Sequence, residues 1–434
     1  MRLNNESSCF AFILMGSYRA ERPYTDNMKR THLFLPFYLL TLAAPSAFST
    51  ALPLHVEGRL IKDSAGRAIV LRGVNHHGFL DVPDGAWDAP GEPLYSGMGR
   101  WRPEVVQGTL DDLAAKGFNV IRLHTVVEWW QKDPDTYQDP YRKVKYPEHY
   151  RQMVKDVVDW AGERGLYVIF DFYALRNESG VQSGQETLPW APWGRFPKVL
   201  KDRKAFEKVL QSVAQTLGAC PNLILEPYNE PHGDEAAERE WFKFLDEDLP
   251  SLRKATRIPI LVQWDRTCWV NLDYPPYKYR AATLDWVARH TLFDRNLIYG
   301  THLYRNSGGG EPGMAHWSLN GPVNLWASND LAKALSLMRF PGSQGGLLAP
   351  LVVTEIGADL KAAGEDRVHE LLWFKNCLDQ LNGLGVGYVG WAWQDDRQLD
   401  HGLLHEGQPN VAGKILLDSL RPSKKAPPAA QPAD

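Results

Sequence analysis

One pattern recurs along the chain: apolar residues at helical spacing, then a glycine, then a short run nearly continuous in aliphatic and aromatic side chains. "VVQGTLDDLAAKG" leads to "FNVIRLHT", "YRQMVKDVVDWAGERG" to "LYVIFDFYA", and "FEKVLQSVAQTLG" to "NLILEPYNEP". In the second of these, Met153, Val154, Val157, Val158 and Ala161 fall on one face of a helix. Gly165 stands where a helix C-terminus favours positive φ. The runs "AIVLRGVN", "PILVQWD", "NLIYGTHLY", "APLVVTEIG" and "GVGYVGWAW" bring the strands to eight. Strands apolar on both faces and separated by helices predict an α/β fold, a closed (β/α)₈ barrel over residues 52–420 with long βα loops. Before them, "LHVEGRLIKDSAGRAIVLRGVNHHG" alternates around "DSAG" and predicts a hairpin capping the bottom of the barrel.

Polar residues sit at the ends of these strands: Asn75, Arg122, Tyr173, Asn229 and Glu230, Asp265, His302 and Tyr304, Glu355, and Trp391 with its polar indole edge. Sites of such barrels form at the C-terminal strand ends, so the placement is directional. Glu230 and Glu355, closing strands four and seven, are expected to face one another across the mouth. Glycoside hydrolysis requires such a pair: one carboxyl protonates the leaving oxygen, while the other attacks the anomeric carbon or activates water. A gap of about 5–5.5 Å gives retention and one of about 6.5–9.5 Å gives inversion.

The motifs "VLRGVN", "NVIRL", "LEPYNEP", "GTHLY" and "LVVTEIG" resemble, in order and spacing, those of glycoside hydrolase family 5, the cellulase family, over residues 54–418. The resemblance implies a retaining enzyme with Glu230 as acid/base and Glu355 as nucleophile. It also implies support from Arg122, Asn229, His302 and Tyr304, and a sugar-lining Trp391 followed by a cis peptide. Asn75, His77, His124, Tyr173 and Trp393 complete the expected substrate-binding set. One departure stands out: where the family has His in an Asp-x-His pattern, "VIFDFYAL" has Tyr173. His76, His77 and His124 at neighbouring strand ends offer an imidazole from elsewhere.

Composition narrows the partners. A net charge of −4 over 434 residues, with no long basic run, argues against a nucleic-acid surface. Sixteen Trp and seventeen Tyr suit sugar faces. Trp87, Tyr95, Trp101, Trp129, Trp130, Trp190, Trp193 and Phe196 are either sugar platforms or packing for their own loops. Lys29 and Arg30 before the apolar run Leu33 to Ala44 read as a signal peptide within residues 1–51, with residues 1–27 an over-extended start. Export to the extracellular space or periplasm is expected, with no membrane attachment after signal removal. Residues 421–434, rich in Pro and Ala, are expected to form a disordered tail.

Cys220, Cys268 and Cys377 fit neither a disulfide framework nor a zinc site. Neither "HH" at 76 and 77 nor "HGLLH" at 401 and 405 has the spacing or acid of a metal site, so no metal or cofactor is expected. The expected partner is a β-linked oligo- or polysaccharide substrate, and the protein is expected to be a monomer. Endo-β-1,4-glucanase action comes first, then β-1,4-mannanase or exo-acting β-glucosidase. A non-catalytic sugar-binding barrel is the alternative of another class.

Overall fold

The computed structural model describes residues 49–76, 103–133, 136–138, 143–145, 149–173, 188–190, 199–231, 235–263, 296–304, 350–397 and 399–421. Residues 1–48 of the expected signal peptide and all but the first residue of the expected tail lie outside them. No helix among the described residues is long and apolar enough to cross a membrane.

Eight strands close a barrel: β1 (Arg72–His76), β2 (Val120–Val126), β3 (Tyr167–Tyr173), β4 (Leu223–Leu225), β5 (Ile260–Gln263), β6 (Leu297–Tyr304), β7 (Leu351–Gly357) and β8 (Gly387–Gly390). They follow one another in chain order around the ring, every neighbour parallel, and β8 closes on β1 through Tyr388↔Arg72, Val389↔Gly73 and Gly390↔Val74. Parallel neighbours need a crossover, which the helices supply. α1 (Pro103–Ala115), α2 (Tyr150–Glu163) and α3 (Arg203–Leu217) follow β1, β2 and β3. After β4, α4 (Glu235–Lys243) runs through a π-helical segment, Phe244–Asp248, into α5 (Leu249–Ala255). α6 (Glu365–Leu384) joins β7 to β8, and α7 (Val411–Ser419) follows β8.

The two periodicities read from the sequence meet at the helix–sheet interface. Met153, Val154, Val157, Val158 and Ala161 of α2 are buried in one cluster with the outward-facing Val168, Phe170 and Phe172 of β3. Gly165 has φ +74°, and a Cβ there would sit 2.6 Å from the Ser49 carbonyl oxygen. Inside the barrel the lowest layer is apolar: Val120, Ile169, Ile224, Leu261, Ile298, Val352 and Val389.

Leu54 and Ile61 of the N-terminal hairpin join that layer and plug its floor. The plug has one strand more than the sequence suggested. Leu54–Glu57 pairs with Leu60–Asp63 before the "DSAG" turn, where Asp63 Oδ1 accepts from the N–H groups of Ala65 and Arg67, sends the chain back.

Candidate active site

Alternation along a strand decides which side chains enter the barrel, and Glu355 and Asn229 both depend on a break in it. On β7, Val353 pairs with Thr301 but Glu355 pairs with His302, so Thr354 is an extra residue. Without this bulge Glu355 would continue the outward-facing set of Val353 and lie under the helices. Beyond β4 the same device recurs. Glu226 N–H donates to Phe170 O (2.8 Å) and Asn229 N–H to Phe172 O (2.8 Å), three residues answering two. Tyr228 turns outward against Phe206, while Asn229 and Glu230 reach the rim. Glu230 has φ +41°, a left-handed backbone that costs a glutamate about 1–3 kcal/mol and is typical of functional positions.

Above the apolar floor lies a buried polar layer centred on Arg122. Its Nε and Nη2 donate to both oxygens of Glu226 (2.8 Å each), Nη1 to Glu355 Oε1 (2.7 Å) and Asn75 Oδ1 (3.1 Å), and Nη2 to Asn229 Oδ1 (2.8 Å). Asp171 Oδ2 lies 2.9 Å from Nη2. Burial works against the guanidinium charge, but Asp171, Glu226 and Glu355 outweigh it and hold Arg122 protonated. Arg122→Met strands Asp171 and Glu226 without their cation. It is expected to cost about 3–5 kcal/mol of folding stability, read as a lowered denaturant midpoint.

Glu355 is gripped from the other side by Tyr304, whose hydroxyl donates to Oε2 (2.7 Å). Burial, then Glu355 itself, push the phenol well above its usual range, so it stays a donor. For Glu355 burial is the largest influence and raises the carboxyl; His302, Arg122 and the Tyr304 hydrogen bond pull it down, but the net displacement is upward.

His302 Nδ1 lies 2.7 Å from Glu230 Oε1 and 3.4 Å from Glu355 Oε2. Burial lowers this imidazole to about 4, leaving it neutral. The Gln263 amide nitrogen faces Nε2 at 3.1 Å, which assigns the ring proton to Nδ1, donating to Glu230. One ligand atom each of Glu230, His302 and Glu355 lie within 4.8 Å of one another. The two glutamates and the imidazole between them thus form one cluster, whose donor set could also hold an ion. Asp395, Asp396 and His405 form a second such group, where His405 Nδ1 meets Asp396 Oδ1 at 2.8 Å.

The other expected residues divide. Trp391 is partly exposed, stands edge to face with His124 (5.2 Å), and its peptide bond to Ala392 is cis. His124 and Asn75 are buried beneath it, 3.0 Å apart (Nε2 to Oδ1), and Tyr173 lies buried 6.4 Å from the imidazole. Trp393 is buried against Phe118 rather than at the mouth, because alternation no longer applies once β8 has ended at Gly390. Gly357 lets Tyr304 approach: a Cβ there would lie 3.0 Å from its ring.

Trp130 and Trp190 pack on Phe170 and Phe206, and Trp129 on Tyr150, so these three brace their loops. His77, Trp87, Tyr95, Trp101, Trp193, Phe196, Asp265 and Cys268 lie outside the described residues. Cys220 and Cys377 are free and buried. Asp171, Glu226 and Gln263 were not singled out from the sequence; their signal was a polar residue at an inward position one step below a strand end.

A family model described as Cellulase (glycosyl hydrolase family 5) matches residues 63–397. Endoglucanase A of Butyrivibrio fibrisolvens is 24% identical over 251 residues, which is 58% of this chain and 45% of that protein; the match spans under half the relative's length. Among solved structures, the endocellulase of the archaeon Pyrococcus horikoshii superposes with a TM-score of 0.59 at 16% identity, covering 86% of this chain and 99% of that one. A β-glucanase from Saccharophagus degradans, solved with cellotetraose, gives 0.57 at 16% identity, covering 88% and 98%. The catalytic domain of a mannanase from Streptomyces sp. SirexAA-E gives 0.52 at 16% identity, covering 88% and 95%. At such identities the likeness establishes the fold.

Proposed function

The chain belongs to glycosyl hydrolase family 5, the cellulase family, and is a glycoside hydrolase; on that premise we propose that it cleaves β-1,4-linked glucan internally, with retention. The observation that carries retention is the approach of the two glutamates, with one oxygen of each within 4.8 Å. That suits the closer spacing of about 5–5.5 Å better than the wider gap that must admit a water.

Glu355 attacks the anomeric carbon as Glu230 gives its proton to the departing oxygen, leaving a glycosyl ester. Glu230 then takes a proton from water, which attacks the same carbon and releases Glu355. Arg122 and Tyr304 hold the two oxygens of Glu355 in line for the first step. The two carboxyl groups oppose one another's charge. Once Glu355 is esterified that opposition ends, and Glu230 is free to act as a base. With Asn229 Oδ1 occupied by Arg122, its amide NH₂ is available to a sugar hydroxyl.

Glucan is preferred over mannan because the endocellulase and β-glucanase structures superpose somewhat better than the mannanase. Export follows from the targeting segment expected at the N-terminus, and action as a monomer is part of the same reading. The purified protein, given β-1,4-glucan, β-1,4-mannan, xylan and β-1,3-glucan, should shorten the first fastest and release oligomers of mixed length. Proton NMR of the first products should show the β-anomer. Early α-anomer would overturn retention, and exclusive release of monosaccharide or a fixed short oligomer would overturn internal cleavage.

A further inference from the structure

We propose that His124 is a buried imidazolium, fixed between Asn75 and Asp171, and that it serves as a second cation beside Arg122 for positioning and charging the Glu355 nucleophile. The inference rests on the reading of Glu355 as nucleophile, but its geometric part does not.

Asn75 decides the matter. Its Nδ2 faces three backbone carbonyls, of Thr354 (2.9 Å), Val389 (3.3 Å) and Gly390 (3.3 Å), so the amide cannot be reversed. Oδ1 is therefore an acceptor, and Arg122 Nη1 already donates to it. His124 Nε2 lies 3.0 Å from that oxygen and so must carry a proton. On the other side of the ring Nδ1 lies 3.2 Å from Asp171 Oδ1, where a lone pair would meet a carboxylate. Arg122 Nη2, 2.9 Å from Asp171 Oδ2, keeps that carboxylate ionised, so the second proton belongs to the imidazole. His124 thus has an acceptor at Nε2 and, at Nδ1, a carboxylate at ion-pair distance, and the doubly protonated ring suits both.

The charge count gives this cation a role. Arg122 is shared among Asp171, Glu226 and Glu355, and His302 is neutral. A positive charge on His124 answers Asp171 and leaves more of Arg122 to Glu355, which burial alone drives toward protonation. The charged or titratable groups that the described residues bring against the ring are Asp171 and Tyr173 from β3, and Arg122 two residues back on β2. From β1 and beyond β8 it meets the neutral Asn75 and Trp391. The departure at Tyr173 has a counterpart here: the imidazole lacking on strand three stands on strand two, paired with the same aspartate.

The test is a long-range ¹H–¹⁵N spectrum of the full chain labelled with ¹⁵N-histidine at pH 7, where an ordinary histidine is mostly neutral. We expect one histidine with both ring nitrogens protonated, absent from His124→Gln. That assignment separates it from His405, which Asp396 also raises. If the His124→Gln chain does not fold, Asp171→Asn assigns the signal instead, converting it to a singly protonated ring. A His124 signal with one bare nitrogen overturns the proposal.

In folded His124→Gln the acid limb of kcat/KM should also move up by about one pH unit, as expected when a carboxylate loses a nearby cation. A rate lowered equally at every pH would assign His124 a merely structural part. The spectrum needs no substrate, so a protein inactive on every β-glycan would sink the proposed function and leave the protonation result standing.

Discussion

Glu355→Gln is expected to lower kcat/KM on every β-glycan the enzyme cleaves by about 10⁴-fold or more, since the covalent step loses its nucleophile. Arg122 Nη1 and the Tyr304 hydroxyl, both within 2.7 Å of the side chain, keep a partner in the amide oxygen or nitrogen, so substrate affinity should change little. Stability should move the other way. Burial raises Glu355 in the folded protein, so ionising it costs stability that is intact below the unfolded value of about 4.3 and lost as pH rises through the folded one.

The glutamine cannot ionise. The variant should therefore melt higher than the parent at pH 7, with the difference closing below about pH 4. A scan showing the parent more stable at neutral pH would mean that Arg122 and Tyr304 outweigh burial. Hydrolysis that survives the substitution would remove Glu355 from the mechanism.

Glu230→Ala should discriminate among leaving groups. With an alkoxide of sugar as leaving group the rate should fall about 10²–10⁴-fold, the usual worth of a positioned general acid. A dinitrophenyl β-glycoside needs no proton to depart, so its first step should survive and its second should stall, giving a burst of phenolate. Azide, which needs no general base, should restore turnover and collect the sugar as the β-glycosyl azide. An α-glycosyl azide would mean attack from the other face, and the roles of Glu230 and Glu355 would be exchanged.

Much of this site was legible because a barrel strand is apolar on both faces, so Arg122, Glu230, His302 and Glu355 stand out at strand ends. What the sequence hid was the register above them. Nothing in "VVTEIG" says that Thr354 is the surplus residue, and in "EPYNE" the only trace is Pro227, which has no N–H to give a ladder. Glu226 and Asp171 became meaningful only once inward positions were fixed and Arg122 was seen to divide its charge among three carboxylates. Trp393 was misplaced for a related reason: two residues from Trp391 in a strand would share its face, but the strand had already ended.

The paired insertions at Thr354 and beyond Glu226 make the inward placement of Glu355 and Asn229 a matter of parity. Below them β4 and β7 pair as any barrel strand does, and the wall closes whatever the rim carries. Above them inside and outside are exchanged, so Glu355 and Asn229 enter the cleft by an odd count, while Glu230 is aimed by its own left-handed backbone. Side chains beneath can drift in sequence with their volumes conserved, but β7 cannot lose one residue and keep Glu355 inside, nor the rim beyond β4 lose one and keep Asn229 on Arg122. Substitution there should be tolerated far better than deletion, and a chain without Thr354 should keep its barrel and turn Glu355 out under the helices.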